Sequence, residues 1–378
     1  MTYSWDELAA LSLARQFPPI AGTGRTAVAQ TVRQIGPIQA QAARAPFLAM
    51  AARMPGVTVE DIRSAYDELL IVRGSNIRGT VHTATPQDHA LLEVISRAGQ
   101  RALWARMLRL ETTTLEDVWD GLEEFARADW RTPDQLYAFL LGWLEQHDPA
   151  ANPAIDNDAG RYLAFTHGGL IRRPLVGGWE SQGAPEYRAA SALLGDRTRI
   201  LADTNGSLDA IARRYLSTSG PASRHDFAWW SGLGLRIVDA TLARLEPETT
   251  AKEGPDGRIY YDVVGAPAPV DAPSIRLLPE FDALLCAYGP KARDRFVSPQ
   301  HLSQVWSRDN GLQPAPMLCD GRLTGYWRLS GSGRNRTCAV TWFTRTRRPR
   351  KSELDGPIAA LEAAYGITVT GTTLTREQ

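Results

Sequence analysis

One local order recurs three times along this chain, and it constrains the fold more than any other feature: helical patterns followed by a hairpin pattern. The first run opens with helical periodicity over residues 5–16 and 25–34. Gly36-Pro37 stops the second of these helices, because the residue before a proline disfavours the helical region. A further helix is predicted over 45–53, with Pro46 in its first turn. Thr58 reads as an N-cap with Asp61 three residues on, and Val59, Ile62 and Leu69 form the apolar stripe of the next helix. Residues 70–73 and 77–82 then read as two strands joined by a Gly74-Ser75-Asn76 turn. In the second run Thr132-Pro133 caps a helix to 146, and another covers 159–167. Strands follow at 170–175 and 185–188. The third run gives helices at 208–216, 224–231 and 236–245, a Gly254-Pro255-Asp256-Gly257 turn and a strand over 258–263.

Helices followed by a hairpin describe a winged helix. Any one instance is weak, whereas three in tandem are harder to dismiss. The expectation is an α+β chain of three tandem winged-helix units over residues 1–120, 121–205 and 206–378. Short strands at 317–319, 322–329 and 337–344 form a small β region appended to the third unit. Trp229 and Trp230 sit at helical spacing among apolar residues and read as core. His89 and His225 are isolated, lack metal-ligand spacing, and read as surface or capping residues.

The 378 residues carry equal numbers of acidic and basic side chains. Their distribution is uneven. Residues 8–59 hold five arginines and no acid, residues 321–352 hold nine basic residues and no acid, and residues 110–160 hold twelve acids against two arginines. A polarised chain can be neutral overall and still present one basic face. Arg334, Arg336, Arg345, Arg347, Arg348 and Arg350 are therefore candidates for phosphate contact, with a solvated surface as the alternative. Cys286, Cys319 and Cys338 are odd in number and lack CxxC spacing, which argues against a disulfide framework and a structural zinc site. Asp6 and Glu7 stand where a secretory signal would be basic and then apolar, and no apolar run approaches a membrane span. A cytoplasmic protein is expected.

The candidate chemistry lies in Ile38-Gln39-Ala40-Gln41, between a helix breaker and a proline-started helix. Read as extended, the segment points positions i and i+2 to one side. Two convergent amide oxygens could orient one water. Glutamine does not take up a proton at neutral pH, so it can position a water but cannot act as its base. Such a site needs a leaving group that is already good. Alone the pair is a weak motif, because two polar residues at a helix start carry the same letters.

Three segments raise its weight. Gly36-Pro37-Ile38-Gln39-Ala40-Gln41-Ala42 is one, and Arg78-Gly79-Thr80-Val81-His82 another. The third is Phe227-Ala228-Trp229-Trp230-Ser231-Gly232-Leu233, with Leu277-Leu278-Pro279-Glu280-Phe281-Asp282 after it. In these segments, over nearly its whole length, the chain resembles the winged-helix DNA glycosylases of the azinomycin-resistance (AlkZ-like) type. The resemblance implies a C-shaped monomer whose channel takes double-stranded DNA. It also implies hydrolysis by water with no lyase step, metal or cofactor, and Gln39 and Gln41 as the catalytic Gln-apolar-Gln pair. Cationic N7-alkylated purines fit as substrates, up to bulky antibiotic–guanine adducts or crosslinks, and glutamine at the second position places the chain with members that protect antibiotic producers. Arg78 and His82 would lie on the first wing beside DNA, with a structural role for His82 as the other possibility. A non-catalytic winged-helix regulator is the alternative function. Three units in one chain and no coiled-coil segment favour a monomeric clamp over a dimeric regulator.

Overall fold

The computed structural model describes residues 2–20, 22–151, 158–269, 274–306 and 314–377. Its first run comprises α1 (Trp5–Gln16), α2 (Arg25–Ile35), β1 (Ile38–Gln39), α3 (Ala45–Arg53), α4 (Val59–Asp67), β2 (Val72–Ser75), β3 (Val81–Ala84) and the long α5 (Pro86–Leu108). Thr58 and Asp61 form the expected reciprocal cap on α4. The second run has α6 (Leu115–Phe125), α7 (Pro133–His147), α8 (Asp158–Leu163), β4 (Leu170–Pro174), β5 (Pro185–Ala189), α9 (Ala190–Leu194) and α10 (Thr198–Ala202). The third has α11 (Thr204–Ser219), β6 (Ala222–Ser223), α12 (Arg224–Ser231), α13 (Leu235–Arg244), β7 (Thr249–Glu253) and β8 (Ile259–Val263). The remainder adds β9 (Arg276–Leu277), α14 (Ala283–Cys286), α15 (Pro299–Val305), β10 (Ala315–Cys319), β11 (Arg322–Ser330), β12 (Asn335–Trp342), α16 (Asp355–Tyr365) and β13 (Thr368–Arg376).

The three runs share one connection. In each, the chain leaving an early helix pairs with the second strand of that run's hairpin. Gln39 lies opposite His82, Arg131 bridges to Tyr187, and Ser223 lies opposite Tyr260. The first two hairpins also fuse through Gly74 and Ile171 into one sheet ordered β1-β3-β2-β4-β5. This moves the first turn from its expected place. Gly74 lies within β2, where a Cβ would stand 2.7 Å from Nε2 of His89 and 3.0 Å from the Leu170 carbonyl. The turn falls instead at Ile77–Gly79, with Arg78 and Gly79 at φ of 55° and 71°.

Packing does not follow the runs. Ala9 and Leu13 of α1 share a core with Leu208, Ile211 and Tyr215 of α11 and with Leu92 and Ile95 of α5. The far end of α5 gives Trp104 and Leu108 to the separate core of the second run. Trp230 is in the first of these cores, as expected. The C-terminal sheet, ordered β13-β12-β11-β10-β9, packs on the third run, since Leu318, Leu323 and Phe343 share the core of Leu208, Tyr215 and Phe227, and it packs on the first run as well. Leu48 of α3 packs with Leu354 and Leu361, and Ala364 of α16 joins the apolar core around Val28 and Phe47, so this region closes against the first run.

Buried polar groups fasten these junctions. Both terminal nitrogens of Arg53 donate at 2.9 Å to the Asp282 carboxylate, and its Nε donates at 3.0 Å to the Gln16 carbonyl. Arg15 donates to both oxygens of Asp262 at 2.6 and 2.8 Å. Gln16 donates to the carbonyls of Ile35 and Thr218 at 2.9 and 2.8 Å. Burying such charges is costly unless pairing geometry is good, and removing one partner leaves the other stranded. Arg53→Met and Asp282→Asn should each lower unfolding free energy by about 3–5 kcal/mol. In a denaturant double-mutant cycle the pair should cost much less than the sum, and strict additivity would show that the two groups are not coupled.

His89 departs from its expected surface position. It is buried, and neither ring nitrogen has a hydrogen-bond partner. Burial, with Arg197 nearby, pushes its pKa from 6.5 down to about 3. His82 is likewise held down at about 3, by burial and then Arg78. Because the folded pKa values are depressed, the unfolded chain takes up protons first as pH falls. Stability is therefore full above 6.5 and is lost as pH drops from there toward 3. Between pH 6 and 4, His89→Gln should reduce the slope of unfolding free energy against pH by about one proton. Parallel curves for the two proteins would show that His89 carries none of this dependence.

Candidate active site and nucleic-acid interface

The motif is extended where the sequence predicts it. β1 pairs antiparallel with β3, and the Ala40 N–H continues the ladder to the Val81 carbonyl at 2.7 Å. The strand ends there, and Gln41 sits in a bend with its Oε1 accepting from the Val81 N–H at 3.3 Å. The two amides therefore do not face one spot. Gln39 is 8% exposed, and its Oε1 is buried without a donor. It lines a cavity of about 20 Å³ together with Arg78, His82, Thr218, Trp230 and Cys286. Gln41 is exposed and lines a groove of about 480 Å³ with Tyr162, Phe165, Arg172, Gln182 and Tyr187. Alternation along a strand predicts a common face only while the strand continues, and here it lasts one residue too few.

Arg78 and His82 do not extend outward from a wing. Arg78 reaches across to the third run, where its Nη1 donates to the carbonyls of Trp229 at 3.2 Å and Trp230 at 2.5 Å. Burial lowers its pKa. His82 is buried opposite Gln39, with Nδ1 3.0 Å from the Thr80 carbonyl. Held near 3, it is neutral at physiological pH. If Nδ1 carries the proton, Nε2 is left as an acceptor. The structural role for His82 is the one its surroundings fit, and Arg78 ties the first hairpin to α12.

The basic cluster divides. Arg347 is held by Asp320 at 2.8 Å and Glu353 at 3.0 Å, and Arg350 lies 3.3 Å from the same glutamate. The Arg350 N–H and side chain, then Arg347, hold Glu353 down to about 2. These two arginines fasten the turn after β12 while their side chains stay partly or largely exposed. Arg348 lies over the Trp342 ring at 5.5 Å, and Arg345 is exposed at φ 61°. Arg334 and Arg336, at the tip of the β11–β12 hairpin, line a cavity of about 640 Å³ with Ala42, Arg44, Arg63 and Gln182. In that cavity Arg44 and Arg63 are paired with Glu280 and Glu180, whereas Nη1 of Arg336 is buried without a partner. The hairpin tip thus shares a cavity with the residue that follows Gln41.

Sequence reading missed Arg172 and Gln182. Gln182 accepts from the Ala43 N–H at 2.9 Å and ties the second hairpin to the motif. Nothing local in the sequence announces this, since it depends on the fusion of two hairpins far apart in the chain. Among the described residues, no group of three or more His, Cys, Asp or Glu could hold a metal ion, and no helix is long and apolar enough to cross a membrane.

A family model described as DNA glycosylase AlkZ-like matches residues 32–364. Among solved structures, the chain is similar to the DNA glycosylase AlkZ of Streptomyces sahachiroi. The TM-score is 0.80 at 20% sequence identity, covering 99% of this chain and 100% of that one. No curated relative matches by sequence. At that identity the structural likeness shows a common fold, and the family match carries the activity. The glutamine segment, its paired hairpin and the C-terminal sheet all lie within or against the matched span, and the chain belongs to the AlkZ-like DNA glycosylase family, enzymes that cleave the N-glycosyl bond between base and sugar in DNA.

Proposed function

We propose that this glycosylase hydrolyses the N-glycosidic bond of cationic, N7-alkylated purines in duplex DNA, acting as a monomer, with the attacking water held by Gln39 and the substrate met by Gln41. One observation carries the reading. No Asp or Glu is among the described residues lining either the cavity at Gln39 or the groove at Gln41. With no carboxylate to act as base, the base must be ready to leave before the enzyme binds. Alkylation at N7 supplies that by placing a positive charge on the purine. The water then attacks C1′ of an oxocarbenium-like sugar, which amide oxygens also stabilise electrostatically.

The two glutamines divide the work. Oε1 of Gln39 is a buried acceptor that lacks a protein donor, and its cavity has room for about one water. A water donating to Gln39 keeps its lone pairs for attack. Gln41, exposed in the groove, is the amide that meets substrate. Phosphate contact falls to Arg334 and Arg336 at the hairpin tip.

Duplex DNA carrying N7-methylguanine should accumulate abasic sites when incubated with the protein, and no release from any cationic N7 lesion would overturn the proposal. Gln39→Ala and Gln41→Ala should each lower the single-turnover rate about 100-fold, the scale of removing one preorganised electrostatic group, while binding persists. Neutral amides beside a histidine held near 3 should also give a flat rate profile from pH 5.5 to 8.5. An ionisation near neutrality in that profile would point to a titrating base instead.

Arg334→Ala combined with Arg336→Ala should weaken binding on every sequence. The slope of log affinity against log salt should fall by about 1.8, the equivalent of two phosphate contacts. A slope equal to that of the unaltered protein would remove the hairpin tip from the interface.

A further inference from the structure

The groove beside Gln41 has more recognition chemistry than water positioning needs. One wall is aromatic. The rings of Tyr162 and Phe165 lie 5.5 Å apart, and those of Phe165 and Tyr187 lie 5.3 Å apart. Tyr187 and Phe165 are covered to different degrees, whereas Tyr162 at the open end is 62% exposed. A single exposed aromatic needs no explanation. An aromatic row that ends in an exposed ring inside a groove of about 480 Å³ is a different matter, since that volume is in the range of ligand sites.

Arg172 lines the same groove. Its neighbours are neutralised: Arg173 pairs with Glu186 at 2.6 Å, and Arg161 pairs with Asp134. Arg172 has no carboxylate partner among the described residues, and its guanidinium lies 5.8 Å from the centre of the Tyr187 ring. Burial lowers its pKa, as expected for a guanidinium partly withdrawn from water with no anion beside it. Gln41 and Gln182 complete the lining with amide groups, and the oxygen of Gln182 is already taken by the Ala43 N–H. An exposed aromatic face, an unneutralised arginine and side-chain amides are the three parts needed to hold a nucleotide outside a helix: stacking, phosphate contact and hydrogen bonds to a base edge.

We infer that the groove lined by Gln41, Tyr162, Phe165, Arg172 and Gln182 receives a nucleobase turned out of its stack, with its ring against Tyr162 and its phosphate on Arg172. The inference rests on the assignment of Gln41 to the DNA-facing site. The occupant is an unstacked base of the bound DNA, and two bases could supply it: the alkylated purine or the base opposite.

The test uses the full chain and needs no catalysis for its main readout. Two duplexes are compared by fluorescence anisotropy. One holds a central unpaired adenine, and the other holds a tetrahydrofuran abasic residue at that position with the same phosphates. The protein should bind the adenine duplex about tenfold more tightly, the size of one stacking contact. Tyr162→Ser should erase that preference while leaving the thermal midpoint unchanged. Arg172→Gln should weaken both duplexes alike and lower the salt slope by about 0.9. Equal affinity of the unaltered protein for the two duplexes, or a preference that survives Tyr162→Ser, would overturn base recognition. An unchanged salt slope would overturn the phosphate contact. A second arm identifies the base. If Tyr162→Ser slows N7-methylguanine release whether or not the opposite cytosine is replaced by tetrahydrofuran, the alkylated purine enters the groove. If it slows release only when cytosine is present, the opposite base does. Failure to release N7-methylguanine would remove the proposed substrate without affecting the binding comparison.

Discussion

The pairing of a two-residue strand with the first hairpin determines where the two glutamines of the motif lie. Ile38 and Gln39 lie opposite Thr83 and His82, and Ala40 adds one further bond to Val81. A two-strand pairing this short has little stability of its own. It persists because β3 is held on its other side by β2, and β2 in turn by β4. The motif is thus the edge of a sheet built from two separate runs of the chain. That explains why Gln182, more than a hundred residues away, reaches the Ala43 N–H. It also explains why one glutamine is covered and the other exposed: the ladder ends between them.

Buried charge holds the runs in register. Arg53 with Asp282 and Arg15 with Asp262 join the first run to the third run and to the segment after it. Apolar contact alone has little directional preference, and many offsets of one helix on another bury similar area. A bidentate arginine–carboxylate pair has one good geometry and is costly in any other. Arg78 does the same on a smaller scale by donating to two successive carbonyls at the end of α12. Its two bonds also explain why Arg78, on a tight turn with positive φ, is half-buried.

Local chemistry was legible in the sequence and long-range chemistry was not. The Thr58–Asp61 cap, the Thr132–Gln135 cap and the hairpin at Gly254–Gly257 follow from side chains within a few residues of one another. The first hairpin turn was displaced because Gly74 reads as a turn residue, whereas its lack of a side chain serves the close approach of His89 and β4. His89 resembles a surface residue by type and is buried by that same approach. The basic cluster of the last quarter looked uniform in composition. It divides because Asp320 and Glu353, the acids that flank the stretch at its two ends, pair with Arg347 and Arg350 and not with Arg334 or Arg336. Arg172 and Gln182 were invisible as site residues because their neighbours in space come from another run.

The separation of the two glutamines bears on the reaction itself. A general base must be near the water and must also change protonation state, which demands a titrating group in a tuned environment. Nothing titratable near neutrality sits with Gln39: His82 is held near 3, and the pKa of Cys286 is pushed up to about 12 by burial. The site offers fixed dipoles and no proton sink. Fixed dipoles can stabilise a sugar cation as it forms, but they cannot extract a proton before the glycosidic bond weakens. If this is the reaction site, as proposed, bond breaking leads and water attack follows. That order is available to a base already carrying a positive charge and is closed to an unmodified purine. Under the proposed assignment of Gln39, discrimination against normal DNA lies in what the site lacks as much as in what it contacts, because no carboxylate stands beside Gln39 among the described residues to assist an intact base.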